Sequence, residues 1–275
     1  MEKAMNKNDE MMQMRREKEE LEHDISRLND MIKISKKIVF FGGAGVSTES
    51  GIPDFRSPNG LYRDYLDPRV VPPEVILSHT YFEEHPKEFF KFYREKMLYL
   101  TASPNRAHKK LAELEAAGKD ITVVTQNVDG LHQKAGSKKV LELHGSVYRN
   151  YCTGCGQFYN VNFVANKKYP VPECSICGGI IKPDVVLYEE SLREQTIVDT
   201  VKAMEEADML IVAGTSLTVY PAASFLNYFR GRYTVVVNLS RHEREDRADI
   251  AFHQRVGDVF SRIDTDYCTD KKDTI

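Results

Sequence analysis

Four groups of residues in this chain have types and spacings that can do chemistry. Cys152-x-x-Cys155 and Cys174-x-x-Cys177 are separated by eighteen residues. Four thiolates at that spacing suit a tetrahedral Zn²⁺ with closed coordination, which is structural; a catalytic zinc keeps one position for water. Free core cysteines or a redox pair fit two matched units less well. His144 follows a short apolar run in Leu141-Glu142-Leu143-His144-Gly145. Its near-neutral reference pKa suits a general base, but a hydrogen-bonded loop histidine fits the position equally. Gln126-Asn127-Val128-Asp129-Gly130 follows a β-branched run, and in isolation such residues are turn formers. The stretch 40–56 carries the fourth group. After Ile38-Val39-Phe40-Phe41 the chain turns through Gly42-Gly43-Ala44-Gly45, and Asp54-Phe55-Arg56 follows a proline. Glycines there can take positive φ and admit a ligand close to the backbone, and the N–H groups of such a turn suit a pyrophosphate. The third glycine of the dinucleotide pattern is missing, because Thr48 stands in its place. Arg56 would either clamp a phosphate or pair with a surface carboxylate.

The elements that must position these groups follow from periodicity. Apolar, β-branched runs predict strands at 38–41, 121–125, 140–143, 185–187, 209–213 and 234–237. Helical stripes alternate with them: Ala107, Leu111 and Leu114 in a helix beginning at Pro104 and ending at Gly118, a short one ending near Gly136, Ile197, Val201 and Met204, one from Pro221, and one at 257–263. Strand–helix alternation implies an α/β fold, an open parallel sheet with helices on both faces. Ligands in such sheets bind beyond the carboxyl ends of the strands. The glycine turn, Gln126 to Asp129, His144, Gly214-Thr215-Ser216 and Asn238 all stand at such ends, which points to one shared site.

Around this domain, at 37–149 and 184–263, other segments are expected. Residues 1–36 form an amphipathic helical segment in which Leu21, Ile25, Leu28 and Ile32 pack on the domain; about two heptads are too few for a coiled coil. Residues 57–100 form a partly helical cover, with Pro58, Pro68, Pro72 and Pro73 preventing one long helix and Phe89, Phe90, Tyr93, Met97 and Leu100 forming a core stripe. Residues 150–183 read as an inserted module, in which zinc replaces a core too small to build. Residues 264–275 are a polar tail, in which Cys268 has no assigned role. His108, His132 and His242 read as structural or exposed.

Bulk numbers narrow the classes. With 275 residues, 41% hydrophobic content and a formal net charge of −3, the chain reads as globular, without an electrostatic case for nucleic acid or membrane adsorption. A charged N-terminus without a signal-type apolar segment and the absence of any run of spanning length make a cytoplasmic protein the expectation. In a reducing compartment the paired cysteines bind metal rather than form disulfides.

The motifs together resemble the sirtuins, the NAD-dependent protein-lysine deacylases. The resemblance is carried by Gly43-Ala44-Gly45-Val46-Ser47 with Gly51-Ile52-Pro53-Asp54-Phe55-Arg56, then Thr125-Gln126-Asn127-Val128-Asp129-Gly130-Leu131-His132, Leu143-His144-Gly145, the paired cysteines, and Gly214-Thr215-Ser216-Leu217 with Val219, Pro221 and Ala222. It covers about residues 20–263 and implies a Rossmann-like domain carrying a small zinc-ribbon and helical module. It implies catalytic roles for His144, Asn127 and Asp129. Cofactor contacts are implied for Gly43, Ala44, Gly45, Thr48, Phe55, Arg56, Gln126, Val128, Asp129, His144, Thr215, Ser216, Asn238, Leu239, Asp258 and Val259. Its cofactors are NAD, consumed as a co-substrate, and one structural Zn²⁺; its partner is an acylated-lysine protein or peptide.

The implied reaction has the acyl-lysine oxygen attack C1′ of the NAD ribose as nicotinamide departs. His144 takes a ribose hydroxyl proton, and the products are free lysine and 2′-O-acyl-ADP-ribose. An ADP-ribosyltransferase or NAD hydrolase using the same site is the alternative, and a non-catalytic NAD-binding or zinc-ribbon module is a third reading. Two positions depart from the family pattern. Leu187-Tyr188-Glu189-Glu190 replaces the usual Phe-Gly-Glu where the peptide is expected to pair, against a loop at 217–220, so Glu189 adds a charge near that cleft. Lys182 stands where arginine is usual.

Overall fold

The computed structural model describes residues 7–55, 60, 71–217, 221–241 and 245–265. Expectations placed on Arg56, Pro58, Pro68, Val219, His242 and Cys268 lie outside the described residues. In chain order the strands are β1 (Lys37–Gly42), β2 (Asp120–Thr125), β3 (Val140–Glu142), β4 (Gly145–Cys152), β5 (Phe158–Asn160), β6 (Ile181–Val185), β7 (Met209–Ala213), β8 (Tyr233–Val237) and β9 (Ile250–Phe252). The helices are α1 (Lys7–Ile34), α2 (Pro73–Ile76), α3 (His79–Glu84), α4 (Pro86–Lys96), α5 (Arg106–Ala116), α6 (Leu131–Ala135), α7 (Val161–Ala165), α8 (Glu194–Glu206) and α9 (Val256–Phe260).

A six-stranded sheet in the order β3-β2-β1-β7-β8-β9 is parallel throughout. Side chains alternate across a strand, so β1 serves two cores. Ile38 and Phe40 face one cluster with Leu28 and Ile32 of α1, Leu111 and Leu114 of α5, and Phe260 of α9. Val39 and Phe41 face the other, with Met204 of α8 and Ala223 and Phe225 of a 3₁₀ turn at Ala222–Tyr228. The expected α/β sheet covered on both faces is thus present, and the stripe of α1 packs on the domain. Only its C-terminal half does so: Met11, Met12 and Met14 are exposed.

Four features differ from the expectations. The apolar run after Pro183 does not rejoin the main sheet. Its strand, β6, pairs antiparallel with β4 in a separate three-stranded sheet ordered β5-β4-β6, where Pro183 sits on an edge strand that tolerates a missing N–H. That sheet runs from Gly145 to Val185, ahead of and beyond the 150–183 stretch. The helices α2 to α4 pack on this small sheet rather than on the large one: Phe82, Phe89, Phe90 and Tyr93 share a cluster with Val147, Val164, Ile181 and Leu187. Strand β9 was not expected, and α5 starts at Arg106 rather than Pro104, because Asn105 caps it.

His108 of α5 and His132 of α6 meet in the core with ring centroids 4.6 Å apart, and His132 also edges Phe40. Burial pushes both imidazoles down, His108 to about 4. The unfolded chain, with histidines near the ordinary 6.5, then binds protons that the folded chain refuses. The contribution of this pair is therefore fully present above about pH 6.5 and is lost as pH drops toward the folded values, His108 alone accounting for about 2 kcal/mol between pH 7 and 5 and His132 adding to it in the same direction. Urea midpoints measured across that range test this; a flat profile would show that the pair accepts protons without unfolding.

Candidate active site

The parallel register brings the strand ends to one edge: Gly42 lies beside Thr125 and Ala213, and Ala213 beside Val237. After β1 the chain forms two 3₁₀ turns, Ala44–Val46 and Thr48–Ser50. Their glycines are needed for packing more than for φ. Gly43 has φ −122, and a Cβ on Gly45 would lie 2.7 Å from the Gly214 Cα. Gly214 itself sits at φ +59 and would drive a Cβ to 2.4 Å from the Val46 nitrogen. The expected row of free N–H groups is also absent. Gly43 and Gly45 donate to Ala213 and Gly214 carbonyls, and Val46 and Ser47 donate back into the turn. Among the described residues 43–47, only the Ala44 N–H keeps no partner.

Side chains from three strand ends converge on this turn. Ser47, which the sequence reading did not single out, is its pivot: its hydroxyl donates to Asp129 Oδ2 at 2.6 Å and accepts from Asn127 Nδ2 at 3.1 Å. Asn127 also donates to the Gly43 carbonyl, and Asp129 Oδ1 accepts the Leu131 N–H. Burial raises the Asp129 carboxyl, while Ser47 and Leu131 pull it back down. Gln126 Nε2 reaches Thr215 Oγ1 at 3.0 Å, and Thr215 exchanges two backbone bonds with the Asn238 amide.

His144 closes the group. Its Nδ1 lies 2.9 Å from the Gln126 carbonyl, which can only accept, so Nδ1 carries the proton. Nε2 is then a lone pair, with no protein partner among the described residues. Burial lowers its pKa, so the ring is neutral at pH 7. Gly145 is obligatory behind it: at φ +78 a Cβ would sit 1.9 Å from the Asp184 carbonyl oxygen. Arg149 links the two sheets beside this residue, bonding Asp184 of β6 and Glu142 of β3 at 2.7 Å each.

Residues 43–221 match the model of the Sir2 family. The chain belongs to the Sir2 family. It is 52% identical over 242 residues to an NAD-dependent protein deacetylase of Clostridium acetobutylicum, which covers 87% of this chain and 98% of that protein. It is 39% identical over 246 residues to an NAD-dependent protein deacetylase of Staphylococcus aureus strain NCTC 8325, covering 90% of this chain and all of the relative (100%). Among solved structures, a Sir2 with a p53 peptide and NAD⁺ superimposes with a TM-score of 0.76 at 36% identity, covering 86% of this chain and 96% of that one.

The remaining sirtuin positions fall as follows. Thr48 is exposed on the turn, its hydroxyl on the Gly45 carbonyl. Phe55 and Val128 are half-buried, Ser216 is exposed, and Leu239 is 69% exposed just past β8. Asp258 pairs with Arg106, whereas Val259 is wholly buried in the α1–α5–α9 core.

The cysteines fit a metal. All four sulfurs lie within 4.8 Å of one another, with Cys152–Cys177 at 3.4 Å and Cys155–Cys174 at 3.6 Å. Tetrahedral Zn–S bonds of about 2.3 Å place sulfurs at about this separation. Gly154 and Ile176 N–H groups and the Tyr159 hydroxyl donate to the sulfurs of Cys152 and Cys174.

The altered sirtuin segment is tied down. Glu189 takes φ +75, and its carboxylate accepts from the Thr80 N–H at 2.9 Å and hydroxyl at 2.7 Å. Glu190 meanwhile holds His79, Lys182 and the Leu187 N–H. The extra charge is therefore directed to α3, and Lys182 has a carboxylate partner. The facing loop at 218–220 lies outside the described residues.

Proposed function

We infer that this chain is an NAD-dependent protein-lysine deacetylase of the sirtuin class, yielding free lysine, nicotinamide and 2′-O-acyl-ADP-ribose. The observation that carries this reading is the neutral His144 with its Nε2 lone pair turned free at the edge where the Ser47–Asn127–Asp129 group stands. A protein that only bound a dinucleotide would have no use for a base held in one tautomer.

NAD supplies an electrophilic ribose carbon to which the acyl oxygen is transferred. The chain's own residues prepare for it. His144 Nε2 accepts a hydroxyl proton, and the Gln126 carbonyl on Nδ1 steadies the imidazolium that results. Asn127 and Asp129, fixed through Ser47, form the pocket wall for nicotinamide. Gln126, Thr215 and Asn238, with Gly43, Ala44, Gly45, Thr48, Phe55, Arg56, Ser216, Leu239, Asp258 and Val259, line the remainder of the cofactor site. Cys152, Cys155, Cys174 and Cys177 hold a zinc that takes no part in the chemistry. We retain the division into an N-terminal helical segment, a Rossmann-like domain with its cover, and the ribbon module. A cytoplasmic location agrees with cysteines kept as thiolates; among the described residues no helix is long and apolar enough to cross a membrane.

The test is an acetyl-lysine peptide with NAD, following nicotinamide and peptide mass together. Nicotinamide release that depends on peptide and matches deacetylation is expected. Release without peptide would instead support NAD hydrolysis.

A further inference from the structure

Asn105 serves two structures with one side chain. Its Oδ1 accepts from the Ala107 N–H at 3.0 Å and the His108 N–H at 3.4 Å, capping α5. Its Nδ2 donates to the Val46 carbonyl at 2.7 Å and the Ser50 hydroxyl at 3.1 Å, one contact for each of the two 3₁₀ turns. The partners fix the orientation of the amide, since a backbone N–H only donates and a carbonyl only accepts. His108 Nδ1, 3.0 Å from Oδ1, backs the amide from inside the core.

The turns need such an anchor. Each is three residues long and closed by i→i+3 bonds, a geometry that is weak in short pieces. The second tie is Glu49, whose carboxylate accepts from the Gly257 N–H at the start of α9. Next to Asn105, Arg106 reaches Asp258 at 3.3 Å, so the head of α5 also holds α9. Between these anchors stands Ser47, whose bonds to Asn127 and Asp129 require the turn to keep its place.

We propose that Asn105 is a positioning residue for NAD, acting through the 44–50 turns that it holds against α5. The proposal rests on the reading of those turns as part of the cofactor site. Preorganising them removes an ordering cost that binding would otherwise carry. Asn105 touches neither His144 nor any residue assigned above to the cofactor, so its effect falls on affinity rather than on the chemical step.

Asn105→Asp separates this role from capping. A carboxylate still accepts from the head of α5, where negative charge is favourable, but it cannot donate to Val46 and faces that carbonyl with an oxygen. The KM for NAD should rise about tenfold, with kcat at saturating NAD within about twofold of the parent. Calorimetric NAD affinity without peptide should fall by the same factor, at an unchanged melting temperature. Asn105→Ala should show the same rise with a lower melting temperature, and Ser50→Ala a smaller rise. Unchanged NAD affinity in Asn105→Asp overturns the proposal, as does a loss of kcat and melting temperature with KM unmoved. If that variant does not fold, Ser50→Ala decides, and an unchanged KM and affinity for NAD there overturns it. A parent protein that binds NAD but does not deacetylate would defeat the deacetylase reading while leaving the affinity comparison decisive.

Discussion

Replacing His144 with alanine is expected to lower kcat for deacetylation by about 10²- to 10⁴-fold, the usual contribution of a positioned general base. NAD affinity should stay within a few-fold of the parent. The expectation follows from the hydrogen bond at Nδ1: because the Gln126 carbonyl can only accept, the ring is locked with its lone pair on Nε2. Gly42, which receives the Gln126 N–H, and Thr215, which receives its side chain, keep that residue in place without the imidazole. The pH profile adds an independent check. A base must be unprotonated, and burial holds this one below the ordinary histidine value. The acid limb of kcat/KM should therefore lie below about pH 6.5, with activity level above it. An acid limb well above that value, or full activity in the alanine variant, would remove His144 from the role.

The distribution of what could be read from the sequence has physical causes. Local signals are legible: the apolar run of 38–41, the stripe of α1 and the matched cysteine pairs each depend on neighbours a few residues away. Non-local ones are not. Gly45 suggests room for a ligand, but its Cβ is excluded by the backbone of Gly214, just past a different strand and far along the chain. Ser47 carries no spacing signature, and its importance appears only when β1 and β2 are laid side by side. Three-residue β9 is too short to show a period. The run at 185–187 is apolar in either sheet, and Pro183 was the available warning against a central strand. Asn105 was also legible as a preferred N-cap, although Pro104 drew the boundary instead. Glu189 was rightly seen as a departure, but not that Thr80 would bind its carboxylate.

Removing zinc should have an effect as large as losing the base, by a different route. The four cysteines are spread over both ends of the ribbon, and Cys152 and Cys174 belong to the same buried cluster as Phe89, Phe90 and Ile181. Structural zinc sites in small modules bind with about 10–16 kcal/mol, comparable to or greater than the stability of a whole domain. The small sheet and the α2–α4 cover packed on it should therefore lose fixed structure on chelation or in Cys174→Ser. The parallel sheet has two cores of its own and should remain folded. Activity should still vanish, because His144 stands at the junction, its carbonyl bonded to the Val186 N–H and its successor Gly145 paired with Val185 of β6. One zinc per chain is expected by elemental analysis. Chelation should produce selective loss of amide protection at 145–185 with protection of β1, β7 and β8 retained, and zinc readdition should restore activity. Uniform loss of protection would mean that the two sheets fold as one unit; full activity without zinc would show that the ribbon does not hold His144 in place.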